Sequence, residues 1–144
     1  MSSFTSDLKV KVLENGDRYQ LLESFTYYRD KDRELILKVP EGYITDFATI
    51  PKIFWSIYPP FGKYTKAAVL HDRLCDAYLN KECWGDVLVS DNLSDEARSV
   101  KVRRVDADAI FLEAMESIGV PVFTRKCLYF FVRAYAIFKY GRKE

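Results

Sequence analysis

Histidine is almost missing from this chain: among 144 residues there is one, His71. Cysteine is scarce as well. Cys75, Cys83 and Cys127 are odd in number and irregular in spacing, so neither a disulfide framework nor a paired CxxC zinc motif is present. A zinc site built from His71 with these cysteines lacks the tight pairing such sites show, and free thiols in a reducing compartment are expected. An excess of one charge is lacking too: 22 Lys plus Arg oppose 21 Asp plus Glu. No global field therefore draws the protein to nucleic acid, and the densest basic run, Lys101 to Arg104, is too short for a binding stripe. The most apolar segment, Cys127 to Phe138, is too short to span a bilayer and carries Arg133 at its centre. It is expected as a buried helix, with no membrane association. The start, "MSSFTSDLKV", has neither a positive n-region nor an apolar h-region, so no secretory signal peptide is expected. Glycine-rich phosphate loops and nucleophile elbows are absent.

What is present is apolar and aromatic: 49% and 15% of residues. That composition excludes disorder and predicts one packed domain over 1–144. It divides into a β-rich part (about 1–45), an ordered loop (40–64) and a helical part (65–141). "LKVKVL", the Asn15-Gly16 turn and "YQLLESFTYY" predict two antiparallel strands, and "ELILKVP" a third strand ended by Pro40. Prolines 51, 59 and 60 exclude a long regular element from the aromatic loop that follows. Thr65 is the expected N-cap of the first helix. Residues 80–96 read as an irregular excursion with a short strand at 87–89. A second helix is expected over 102–118, stopped by Gly119-Val120-Pro121, and a third is capped by Thr124 and ends near Gly141. The fold class is α+β: an antiparallel β-meander, an ordered Pro/aromatic loop, then about three helices packed on the sheet.

Helix phase, at about 100° per residue, puts His71 on the stripe of Ala67, Leu74 and Tyr78, which faces the core. Asp72 falls at the margin of that stripe. On the second helix Asp108 sits at the edge of the Ala107/Phe111/Ala114/Ile118 stripe, one turn after Arg104, so an i, i+4 pair is expected. Arg133 is surrounded by aromatics and needs an acidic partner, because an unpaired buried charge is too unfavourable. Asp46 is wedged between apolar residues of the loop, where it caps backbone amides or points into a site. Asp46, His71, Asp72, Asp108 and Arg133 are expected to converge in one pocket walled by Phe47, Trp55 and Tyr129.

These residues also carry a resemblance. "GYITDFATIP", "AAVLHD", "RVDADAIF" and "FVRAY" resemble, in order and spacing, the elements of a phage and prophage family known as domain of unknown function 1353. The match runs from about residue 35 to 141 and assigns family motif positions to Thr45, Asp46, Ala48, Pro51, His71, Asp72, Arg104, Asp108 and Arg133. The chain departs from the pattern at "HDRLC", where relatives often read HDWLY, and in a longer stretch after it. The resemblance implies a phage or prophage origin, and supplies no activity.

Two classes of function remain. In the first, the protein is a phage accessory, assembly or host-interaction factor that binds a phage or host protein, and the His/Asp/Arg cluster fixes its packing. In the second, it is a hydrolase. His71, Asp72 and Asp108 would then be catalytic, and Thr45, Asp46, Arg104 and Arg133 would bind. One divalent metal could sit on His71, Asp46 and Asp108, lowering the pKa of a bound water; without metal, an aspartate orients His71 as the base. Phosphohydrolases of the HD type need a second histidine, which this chain lacks. The expected location is the host cytoplasm or the virion.

Overall fold

The structure is a computed structural model. It describes residues 3–4, 7–14, 16, 18–29, 36–45, 56–57, 62–88 and 94–141. The strands β1 (Ser3–Phe4), β2 (Val10–Val12), β3 (Tyr19–Leu21), β4 (Phe25–Tyr28), β5 (Ile36–Val39) and β6 (Ile44–Thr45) precede the helices α1 (Thr65–Leu79), α2 (Trp84–Val87), α3 (Asp95–Arg98), α4 (Arg104–Ser117) and α5 (Val122–Tyr140). The class is α+β, as expected.

The strands form two antiparallel sheets of order β1-β4-β5 and β2-β3-β6 rather than one meander. "YQLLESFTYY" is not one strand. In a continuous strand Glu23 would share the inward face of Leu21, Phe25 and Tyr27, since side chains alternate. The chain breaks at Leu22–Ser24 instead, which stay exposed while Leu21, Phe25 and Tyr27 are buried. Glu23 then meets Lys9 in solvent at 3.3 Å.

Three long helices make the body: α4 packs against both α1 and α5. Ala67, Leu70 and Leu74 of α1 and Ile110, Phe111 and Met115 of α4 are all buried in the core. Tyr27 of β4 donates to Glu113 of α4 at 2.7 Å, and Arg29 grips the same carboxylate with two nitrogens, so the first sheet is tied to the helices.

Several local expectations are corrected. Thr65 is the first helical residue, not the cap; its hydroxyl bonds to Gly62, and Tyr64 takes the N-cap position. Helix α5 begins at Val122 after Pro121, so Thr124 lies inside it. In the excursion after α1 two short helices form, and Val87 ends α2 rather than starting a strand; Leu88 makes an isolated bridge to Leu37, and residue 89 lies outside the described residues. The stop of α4 is as read: Gly119 has φ +78, and the amides of Gly119 and Val120 return to Glu116 and Met115. Helix α5 is not fully buried. Leu128, Val132 and Ala136 face inward, while Phe130 is 66% exposed and Phe138 91%. Of the loop expected over 40–64, residues 46–55 and 58–61 lie outside the described residues.

Candidate functional site

His71 is the centre of a layered arrangement. It projects from α1 towards α4, only 1% exposed, with its ring 4.8 Å from that of Phe111. Its Nε2 lies 2.6 Å from Asp108 Oδ1. Asp108 is wholly buried and also accepts from Arg104 Nε at 3.0 Å and Arg133 Nη1 at 2.8 Å. The carboxylate thus joins α1, α4 and α5. The i, i+4 pair expected on α4 and the acidic partner needed by Arg133 meet at one residue.

The electrostatics follow from this geometry. Burial lowers the His71 pKa below its ordinary 6.5, and the Arg104 charge adds to that effect against the opposing pull of Asp108. The neutral ring is therefore favoured, and the tautomer with Nε2–H donates to the Asp108 carboxylate. Burial alone would raise the Asp108 carboxyl; the His71 hydrogen bond and the Arg104 guanidinium outweigh it and hold the group below its ordinary value. Cys75, one turn beyond His71, puts Sγ 3.5 Å from Nε2 and 3.8 Å from Nδ1. Burial pushes that thiol well up, so it stays protonated at rest and is no ready nucleophile.

In front of the histidine lies a cavity of about 780 Å³. Among the described residues its polar lining includes Tyr43, Thr45, His71, Asp72, Asp76 and Arg104. The wall from α5 is Phe131, Val132, Tyr135, Lys139 and Tyr140. Arg104 stands beneath the rings of Tyr135 and Tyr140, at 5.8 and 5.9 Å from their centroids. Strand β6 and the residue before it grip α1: Thr45 donates to Asp72 at 2.5 Å and Tyr43 to Asp76 at 2.5 Å. Two strand residues span about 6.7 Å and four helical residues about 6 Å, so the two hydroxyls match the two carboxylates. Burial and the Asp76 bond push the Tyr43 phenol up, keeping it a donor.

The expected residues Thr45, His71, Asp72, Arg104, Asp108 and Arg133 therefore do assemble, in two layers. Asp108 and Arg133 stand behind His71 and do not line the cavity, contrary to the single pocket expected. Tyr129 packs on the core and is not the wall. Asp46, Phe47 and Trp55 lie outside the described residues. Sequence reading missed Tyr43 and Asp76, and set Cys75 aside with the other cysteines. The signal was there: Tyr43 and Thr45 share strand parity, and Asp72 and Asp76 share a helix face.

A metal ligand set of His71, Cys75 and Asp108 is close enough, with donor atoms within 4.8 Å of one another. Its chemistry fits a cation poorly. Asp108 already serves two guanidiniums at 3.0 Å or less, and a divalent ion there would face both positive charges.

Fold and site together define an α+β protein in which a buried carboxylate orients a neutral histidine at the floor of a polar cavity. The chain matches the family described as "Protein of unknown function (DUF1353)" over residues 19–132, and belongs to it. It is also 30% identical over 119 residues to an uncharacterized protein, y4jT, of Sinorhizobium fredii. That stretch is 81% of this chain and 28% of the relative, so the chain spans under a third of that longer protein. No solved structure matches.

Proposed function

We propose that this protein hydrolyses an ester, with His71 as general base, Asp108 as its orienting partner and Arg104 as the charge that meets the developing anion. The observation that carries this reading is the 2.6 Å bond from His71 Nε2 to Asp108, set behind a cavity that His71 itself lines. A carboxylate on one ring nitrogen fixes the tautomer and orients the ring as a base. His71 takes a proton from water as the water oxygen attacks the ester carbon. The carbonyl electron pair moves onto oxygen beside Arg104. Collapse restores the carbonyl and expels the alkoxide, which recovers the proton from His71, giving acid and alcohol.

The test is hydrolysis of chromogenic carboxylic esters of graded acyl length by the purified protein. Activity is expected, with its acid limb below pH 6.5, the ordinary histidine value, because the ring's pKa is lowered. His71→Gln keeps a donor for Asp108 but cannot shuttle a proton. It should abolish hydrolysis while changing stability by about 1 kcal/mol. No hydrolysis by the native chain, together with a large stability loss in this variant, overturns the reading.

One observation favours the non-enzymatic class. Asp108 has no exposure and ties three helices together. In a phage accessory or host-interaction factor that network would hold the binding surface in shape, and a phage or host protein would be the partner. Function would then track folding in every cluster variant.

A further inference from the structure

Arg104 has more donors than partners. It is 6% exposed and lines the cavity in front of His71. Its Nε donates to Asp108, and among the described residues neither terminal nitrogen has a hydrogen-bond acceptor. Buried polar groups are nearly always paired, so donors left open at a cavity wall point to an acceptor that arrives with a ligand. The terminal nitrogens of a guanidinium lie in one plane and match the two oxygens of a carboxylate or phosphate.

A second cation meets the same rings. Lys139 Nζ lies 5.5 and 5.6 Å from the centroids of Tyr135 and Tyr140, the pair that faces Arg104. It donates to the Tyr135 hydroxyl at 3.1 Å and forms no ion pair among the described residues. Accepting that bond leaves the hydroxyl its own hydrogen to give. Exposed Arg18 also lines the cavity, again with no acidic partner among the described residues. The acids of the described lining, Asp72 and Asp76, already accept from Thr45 and Tyr43. Three cations thus face a cavity whose described carboxylates are engaged, although the whole chain is balanced at 22 against 21. At about 780 Å³ the cavity has the size of a small-molecule site.

We infer that the His71 cavity takes an anionic small molecule, its carboxylate or phosphate group held between the terminal nitrogens of Arg104 and the ammonium of Lys139. Arg18 adds attraction from further off. Resting on the ester-hydrolase reading, this makes the substrate an ester that carries a second, permanent negative charge. The fixed charge orients the ester in the cavity, and the anion that develops on its carbonyl meets the same guanidinium.

The experiment is isothermal titration calorimetry of the full chain with inorganic phosphate and with succinate, at ionic strength held constant with sodium chloride. Saturable binding is expected, and the anion that binds tells a phosphate site from a carboxylate site. Lys139→Met should weaken binding by about fivefold. Lys126→Met makes the same charge change on the same helix, outside the cavity lining, and should leave binding as it is. Lys139 is exposed, so thermal melts of its variant should match the native chain. Arg104→Lys keeps the charge, loses the planar fork and should weaken binding further; if it melts early, the two lysine variants decide. Binding of neither anion, or equal losses in the two lysine variants, overturns the inference. A chromogenic hemisuccinate ester should be hydrolysed with higher kcat/KM than the acetate of the same leaving group, and equal values overturn the substrate class. Anion binding without hydrolysis of either ester defeats the enzymatic reading alone. Hydrolysis of the acetate with no binding of either anion defeats this inference alone.

Discussion

Asp108 is the residue whose loss should be felt most. Its two oxygens carry a histidine and two guanidiniums in a site without solvent. Asp108→Asn keeps the shape and removes the charge that faces buried Arg104 and half-buried Arg133. Breaking a buried ion pair from one side costs about 3–5 kcal/mol. A urea midpoint well below the native one is therefore expected for Asp108→Asn. The loss should exceed that of Arg133→Met, because the Arg133 side chain keeps 18% of its exposure and can reach water. Equal midpoints for the two variants would show that the charge is not what holds the cluster.

Among the elements, the contact of β6 with α1 is specified by two periods. Alternate strand residues and helix residues one turn apart present matching hydroxyls and carboxylates. A hydrogen bond to a charged group contributes about 1.5–3 kcal/mol, with the upper end where water is excluded. Thr45 is 3% exposed whereas Tyr43 is half-buried. Thr45→Val should thus destabilise more than Tyr43→Phe in thermal melts, although it removes no atoms from the core. The reverse order would mean that water replaces Thr45 at Asp72. Helix α5 makes the complementary point: its inner stripe belongs to the fold, and its outer stripe stays exposed.

Across the whole molecule, acid should undo the fold in two stages. The folded His71 pKa lies below 6.5, so the unfolded chain binds more protons as pH falls past that value. This contribution is complete above 6.5 and is lost as pH drops through the folded pKa. Asp108 behaves in the same sense from its ordinary 3.8 downward, because its folded pKa is lower still. Urea midpoints should hold level at neutral pH, decline below about 6.5, and decline again below about 3.8. His71→Gln should erase the first decline and keep the second. A native protein with constant midpoints from pH 7 to pH 5 would contradict a neutral, buried His71.

Much of this was legible without coordinates. Hydrophobic period placed the three long helices, and Gly119 with Pro121 ended α4, because a left-handed residue and a blocked amide are local facts. The pairing of Arg104 with Asp108 was equally local, being one helical turn. The need of Arg133 for an acid was clear from its neighbours, yet three aspartates stood as candidates, and only the crossing of α4 and α5 chose Asp108. The split of "YQLLESFTYY" into two sheets escaped the pattern, since alternation does not say where a strand changes partners. The exposure of Phe130 and Phe138 was likewise hidden. A helix apolar all round reads as buried from its residues alone, and only packing shows which side the core has left uncovered.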